Sequence, residues 1–273
     1  MYIDTHCHLS KDDYDDIDSI IKENFEAGIE KIIISGCSYE WIRESLELSE
    51  KYSNVFVTLG YHPSEVTNLD KEKIQFLIDS LSHKNVVGLG EIGLDYYYGK
   101  DNKDEQIKLF EEQLKIAENK NMKVVIHSRD AVEDTINCLS KFNVTGVIHC
   151  FSGSVETAKR YVSMGYKLGI GGVLTFKNSK LFEVVKAVGI DNIVLETDAP
   201  YLSPEPFRGK KNSSKYIPYI AQKVAEILNI SVEEVARKTT SNACDVFDLT
   251  AHLWYSLVKI MVGDLSERKI NKN

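Results

Sequence analysis

Short apolar runs alternate with longer amphipathic ones along most of the chain. The runs at 2–5, 31–35, 55–59, 86–90, 123–126, 146–148, 166–170 and 192–196 are rich in Val and Ile, as parallel strands covered on both faces are. Between them, 15–27, 39–51, 71–81, 104–119, 131–141, 154–164 and 179–187 carry apolar residues at helical spacing. Ser154, three residues before Thr157, is a weak N-cap signal. Ser231 with Glu234 forms a capping box and opens a further helix near the C-terminus. Eight strand–helix alternations over about 250 residues predict an α/β fold, a single (β/α)8 TIM barrel with extra C-terminal helices. An open doubly wound sheet is the runner-up, and it would lack eight comparable strands. No linker, repeat or low-complexity tract interrupts the pattern, so one domain is expected over 1–250. Past Leu249 the pattern breaks, and 251–273 reads as an extension of unreadable role: an extra helix with a polar tail at 266–273.

Composition narrows the class. With 43% hydrophobic and 27% charged residues the chain is globular rather than disordered, and at 273 residues it needs no disulfide staple. Its five cysteines are scattered without a CxxC pair, which suits a reducing compartment. No secretory n-region or h-region opens the chain, and the longest apolar stretch, 253–262, is interrupted by Lys259 and falls short of the roughly 20 residues of a membrane span. A cytoplasmic monomer with no membrane partner is expected. The formal net charge of −8 weighs against a broad electrostatic clamp on long nucleic acid and leaves end-on or active-site binding open, so any such substrate must be gripped locally.

Chemistry in such barrels sits at the C-terminal strand ends. His6 and His8 close the first strand, and strand alternation points both imidazoles to one side with Cys7 on the other. Glu91 closes the fourth strand, His127 the fifth, His149 the sixth and Asp198 the eighth. A lone strand-end histidine is more often a satisfied polar residue than a ligand, and Asp198 alone could be a helix N-cap ahead of Ala199-Pro200. Together, four of the seven histidines and two acids ring one barrel mouth. A purely structural role would demand a separate partner for each, whereas divalent metal satisfies all of them.

Nitrogen and carboxylate donors without thiolate suit Mg, Mn or Zn, with Co or Fe also compatible. The set is too large for one tetrahedral ion. It predicts two divalent ions roughly 3.5–4 Å apart, bridged by Glu91, lowering the pKa of a shared water. Glu91 and Asp198 are the candidate catalytic residues, with Asp198 placed to take the proton of that water. For substrate, the loop Pro206-Phe207-Arg208-Gly209-Lys210-Lys211-Asn212 is basic in an acidic protein, and Arg129 directly follows His127-Ser128. Arg129, Arg208 and Lys210 suit phosphate oxygens, Tyr201 and Phe207 could stack on a base, and His62 could touch phosphate or cap its loop. A merely solvated loop is the bland alternative. His83 and His252 read as surface residues, and Cys150 as a small core residue turned away from His149.

The segments Asp4-Thr5-His6-Cys7-His8-Leu9, Gly60-Tyr61-His62-Pro63, Gly90-Glu91-Ile92-Gly93-Leu94-Asp95-Tyr96, Ile126-His127-Ser128-Arg129, His149-Cys150-Phe151-Ser152-Gly153, Glu196-Thr197-Asp198-Ala199-Pro200-Tyr201-Leu202 and Arg208-Gly209-Lys210 occur in one order from the first residues to about Leu249. The chain resembles the TatD-type deoxyribonucleases of the metal-dependent hydrolase superfamily. The resemblance implies a divalent-metal-dependent nuclease with DNA as substrate and exonuclease behaviour. It also implies that His6, His8, Glu91, His127, His149 and Asp198 are ligands, with Glu91 where other branches hold a modified lysine. Two departures stand out. Lys211-Asn212-Ser213-Ser214-Lys215 replaces the Arg-Asn and Pro-containing stretch frequent in the family, and 251–273 has no counterpart.

Fold and metal do not fix the substrate. A hydrolase of a carbon centre (an amide, a deamination substrate, or an acyl ester such as aminoacyl-tRNA) could use the same site. A non-catalytic scaffold would have little reason to keep every ligand position chemically competent.

Overall fold

A computed structural model describes residues 1–99 and 101–249. Eight parallel strands follow chain order in one sheet: β1 (Tyr2–Cys7), β2 (Ile29–Gly36), β3 (Val55–Leu59), β4 (Val86–Asp95), β5 (Val124–Arg129), β6 (Gly146–Ile148), β7 (Lys167–Ile170) and β8 (Ile193–Leu195). The helices between them are α1 (Ile17–Glu26), α2 (Tyr39–Lys51), α3 (Lys71–Ser80), α4 (Lys103–Lys120), α5 (Val132–Leu139), α6 (Val155–Ser163) and α7 (Leu181–Val188), and α8 (Ile217–Leu228) and α9 (Val232–Phe247) follow β8. This is the predicted (β/α)8 barrel. The extension 251–273, with His252 and the 253–262 run, lies outside the described residues.

Local chemistry explains the helix starts. Asp16, Ser38, Asp70, Ser154 and Ser231 each accept a hydrogen bond from the backbone N–H three residues on, satisfying a donor the helix cannot. Ser154 therefore caps α6 without an acidic partner at its third residue. Helix α8 was not foreseen individually. Pro218 stands in its first turn, where a missing N–H costs nothing, and Ile217, Ile220, Ala221 and Val224 form its buried stripe.

Alternation along the strands divides the apolar core. Ile32 and Ile34, Val55 and Val57, and Val124 and Ile126 join the cluster shared with the helices. Ile3, Ile33, Phe56, Val125, Val147 and Val194 form a second cluster with Ala243, Phe247 and Leu249. The end of α9 thus supplies a floor to the barrel interior, and Asn242 Nδ2 anchors it to Ile190 O and Ile193 O at 2.8 and 2.7 Å. The opposite end is left for polar groups.

Strand register is broken at two informative places. Asp4 pairs with Ile32 and Cys7 with Ile34, so β1 carries an extra residue around Thr5 and His6. Leu89 pairs with Val124 and Ile92 with Ile126, so β4 carries one at Gly90–Glu91. Beyond that bulge β4 keeps pairing with β5 as far as Asp95, which is why it outruns its apolar run at 86–90. A bulge re-aims the side chain it carries.

Between β1 and the segment after β8, Thr197 N and Asp198 N donate to His6 O (3.4 and 3.0 Å), and His8 N donates to Ala199 O (2.7 Å). Asp4, fully buried, reinforces this seam: Oδ1 accepts from Thr197 N (3.0 Å) and His6 N (3.3 Å), and Oδ2 from Thr197 Oγ1 (2.6 Å). Burial pushes its carboxyl up to about 7 against the pull of the Thr197 bond. Asp4→Ala leaves the buried His6 N–H without its acceptor and Thr197 N–H with only its 3.4 Å bond to His6 O, and it also removes the acceptor of Thr197 Oγ1, so urea unfolding of metal-free protein is expected to show a loss of about 3 kcal/mol. A loss below about 1 kcal/mol would mean the seam holds without this carboxylate.

Candidate metal centre

The strand ends bring six predicted side chains into one cluster. His6 Nε2 lies 3.3 Å from His8 Nε2, 3.4 Å from Glu91 Oε2 and 3.6 Å from Asp198 Oδ1. His8 Nε2 lies 3.6 and 3.5 Å from the same two oxygens. On the other side, Glu91 Oε1 is 2.8 Å from both His127 Nδ1 and His149 Nε2, which are 3.2 Å apart. The His6 and His149 rings stack at 4.1 Å and join the two halves. Each Glu91 oxygen therefore faces its own donor set.

The donor set fits divalent metal. Donors held about 2.0–2.2 Å from one ion stand roughly 3.0–3.5 Å from each other at tetrahedral or octahedral angles, and the spacings within each half are of that order. Ring nitrogens that face one another and converge on the same carboxylate oxygens are satisfied together by a shared cation. Groups able to hold an ion include His6, His8 and Glu91, and Glu91, His127 and His149.

Electrostatics are those of a crowded mouth. Burial works against an ionised Glu91, but His149, His127 and His6 hold its carboxyl well below the usual range. Asp198 is likewise held low, against burial, by His8, His149 and His6. Burial opposes charge on His8, His127 and His149 too, yet Asp198, Asp95 and Glu91 respectively raise their affinity for a proton. His6 goes the other way, lowered by burial and by neighbouring His149.

Several supports were not read from the sequence. Gly93 has φ +150°, and any Cβ there would overlap the His127 carbonyl oxygen, so a glycine is what lets β4 close on β5 beside Glu91. Helix α4 sends two buried carboxamides to the mouth. Gln106 accepts from Asp95 N and donates to Asp95 O, both at 2.9 Å, and Gln113 does the same for Tyr61 at 2.8 and 3.0 Å. Asn212 Nδ2 donates to Thr197 O and Tyr201 O (2.8 and 2.6 Å), so a residue noted only as a departure ties down the turn that carries Asp198. Asp95 Oδ2 stands 3.0 Å from His127 Nε2, and buried Glu196 stands 3.7 Å from His149 Nδ1. Both acids lie in quoted motifs. Their orientation was the missing information.

The expected substrate residues are spread around the rim. His62 has both expected roles open: Nδ1 accepts from Ser64 N at 3.1 Å, capping the 3-10 turn Pro63–Glu65, while Nε2 faces Glu91 Oε1 at 3.8 Å. Burial pushes its imidazole down to about 4. Tyr201, half exposed, and Trp41 flank the His8 ring at 6.2 and 5.4 Å. Arg129 lies 3.6 Å over the Tyr97 ring, Arg208 3.8 Å over Phe176, and Lys210 6.0 Å from Phe207. All three cations are exposed. Phe207 is not open to a base on both faces, because Tyr216 stacks on it at 4.0 Å. His83 pairs with Glu50 at 3.0 Å.

One reading changes, and one alternative falls away. Cys150 is not a core residue: its φ of +45° breaks strand alternation, leaving it part-exposed at the mouth, with its N–H bonded to Glu196 Oε1. The acids Asp198, Glu196 and Glu91 act on its thiol, which burial raises well above the ordinary range. Asp198 caps no helix, since it sits at φ +56° in a turn closed by Tyr201 N to Asp198 O at 2.9 Å.

The family model for TatD related DNase matches residues 3–248. A metal-dependent hydrolase of Bacillus subtilis, YabD, is 37% identical over 252 residues, covering 90% of this chain and 99% of its own. The crystal structure of YjjV, a TatD homologue from Escherichia coli K12, superposes with a TM-score of 0.85 at 30% identity over 90% of this chain and 98% of that one. A TatD family hydrolase from Entamoeba histolytica, at 23% identity and TM-score 0.82 over 90% of this chain and 97% of that one, shares the fold.

Because the β4–β5 approach depends on Gly93, Gly93→Ala is expected to destabilise the protein by about 4 kcal/mol or more, the size reserved for a buried steric conflict. Denaturant unfolding reads this directly, and a cost under about 1 kcal/mol would show that the strands part without penalty.

Proposed function

The chain belongs to the family of TatD related DNases, and on that premise we propose that it is a metal-dependent hydrolase that cleaves phosphodiester bonds in DNA, as an exonuclease. The observation that carries this reading is the division of one buried carboxylate between two sets of donors. His6, His8, Asp198 and Glu91 Oε2 would hold one divalent ion, and His127, His149 and Glu91 Oε1 a second, with Mg, Mn or Zn compatible. Such ions, when bound, supply Lewis acidity and bring the pKa of a coordinated water toward neutrality.

The chain's own groups do the rest. Asp198, ionised at neutral pH because three imidazoles surround it, takes the proton of the attacking water at a carboxylate oxygen. His62 is neutral, and since Nδ1 accepts from Ser64 N, the ring proton sits on Nε2. That N–H points into the mouth and donates to a non-bridging phosphate oxygen. Arg129, Arg208 and Lys210 bind phosphates along the rim, and Tyr201 stacks on the base next to the scissile bond. A net charge of −8 keeps this grip local, which favours a strand end over a long duplex.

Purified protein with Mn or Mg is expected to shorten labelled single-stranded DNA, and EDTA to stop it. Glu91→Gln and Asp198→Asn are each expected to lower kcat/KM by about 10³-fold, and wild-type rates in either variant would sink the site assignment. Hydrolysis of an amide or acyl ester without DNA cleavage under any of these ions would favour the carbon-centre alternative. Arg208→Ala and Lys210→Ala are each expected to raise KM for DNA about tenfold, the equivalent of one charge-assisted hydrogen bond, while kcat holds. An equal loss on a neutral ester would mean that the loop only shapes the mouth.

A further inference from the structure

Among the described residues, carboxylates stand behind both imidazoles of the second donor set and behind neither imidazole of the first. His8 Nδ1 faces the Ser35 carbonyl at 3.3 Å, with the Cys37 thiol also bonded to the His8 ring, and His6 Nδ1 is buried without a hydrogen-bond partner. His127 Nε2 meets Asp95 Oδ2 at 3.0 Å. The other Asp95 oxygen is occupied by Tyr97 N at 2.9 Å, and Gln106 pins the Asp95 backbone on both sides. An ionised carboxylate only accepts, so with an ion held on the Glu91 side of the ring by the Nδ1 lone pair, the His127 proton sits on Nε2 and faces Asp95.

Glu196 is fully buried. Oε1 takes the Cys150 N–H and lies 3.7 Å from His149 Nδ1, whereas Oε2 and His149 Nδ1 have no hydrogen-bond partner. A buried ring nitrogen left unpaired is costly, and the acceptor nearest to His149 Nδ1 is Glu196 Oε1, so a proton on Nδ1 directed at this carboxylate relieves that cost. Nδ1–H directed at Glu196 leaves the Nε2 lone pair on the Glu91 side. The slot for this carboxylate exists because residue 169 is glycine: a Cβ there would overlap Glu196 Oε2.

The two donor sets therefore balance charge differently. The first has Asp198 and one Glu91 oxygen pointing directly in. The second has one Glu91 oxygen, and the remaining negative charge reaches it through two carboxylate-backed rings, which are better donors than unsupported imidazole. We propose that Asp95 and Glu196 are positioning residues that fix the tautomers of His127 and His149 and set the affinity of the second ion without altering the first. This rests on the two-ion reading above.

Calorimetric titration of the metal-stripped full chain with Mn(II) tests it. The wild-type protein is expected to bind two equivalents. Asp95→Ala and Glu196→Gln are each expected to weaken one equivalent by about 10–100-fold and leave the other within about threefold. Gly169→Ala, which displaces Glu196 without removing it, is expected to reproduce the Glu196→Gln isotherm. Asp95 lies on the rim, so its variant folds even where Glu196→Gln does not, and melting of each metal-free variant monitors this. In the Zn(II)-loaded protein, long-range 1H–15N spectra of labelled histidine are expected to give His127 protonated at Nε2 and His149 at Nδ1, with the His127 Nε2–H signal lost in Asp95→Ala. Retention of both affinities in folded variants, or equal weakening of both equivalents, overturns the proposal while leaving the two-ion reading intact. A wild-type isotherm with fewer than two equivalents overturns the two-ion reading itself.

Discussion

A carboxylate with 3% of its surface exposed, enclosed by four imidazoles, is the constraint around which the barrel mouth is organised. An isolated ion so deep would cost several kcal/mol and would protonate instead. Glu91 stays ionised because imidazoles from β1, β5 and the end of β6 converge on both of its oxygens. That convergence demands local irregularity. The β4 bulge re-aims Glu91, the β1 bulge offsets His6, and Gly93 allows the backbones of β4 and β5 to meet beside His127. A regular barrel of the same strands would point these side chains elsewhere.

The barrel was legible because parallel strands buried on both faces leave unbroken apolar runs, and β3 and β6 fall on the runs at 55–59 and 146–148. The cluster was legible for a related reason: a polar residue ending such a run has few places to go except the mouth. What stayed hidden depends on direction rather than residue type. Gln106 and Gln113, seven apart on one face of α4, read as ordinary polar helix positions until their carboxamides are seen to clamp Asp95 and Tyr61. Cys150 was misread because alternation holds only while the chain is extended, and a positive φ ends it.

Stability and chemistry are assigned to opposite ends of the same strands. Ile3, Ile33, Phe56, Val125, Val147 and Val194 pack with Phe247 and Leu249 below, so the last described helix completes the core rather than the site. Above, the described polar groups are braced by neighbours that cannot easily move, since Asp4 and Asn212 hold the Asp198 turn from two sides. The site thus inherits the rigidity of the apolar floor through short segments tied by backbone and side-chain hydrogen bonds. Donor atoms meant to share an ion need positional precision of that kind.

On the proposed reading, an acidic protein must hold a polyanion, which sets its long-range field against its short-range contacts. A net charge of −8 repels phosphate at a distance, and salt weakens that repulsion beyond about 8–10 Å. The proposed attraction then comes from cations placed at the mouth. Arg129 and Arg208 lie 3.6 and 3.8 Å over Tyr97 and Phe176, and an aromatic face braces a guanidinium while leaving N–H edges free for a phosphate. Bracing removes part of the rotamer entropy that a free arginine would lose on binding. A few pre-oriented cations can therefore overcome an unfavourable overall charge where a diffuse basic surface would be needed otherwise. The same field makes non-specific binding along a duplex weak, so the proposed substrate is selected by what can reach the metal donors.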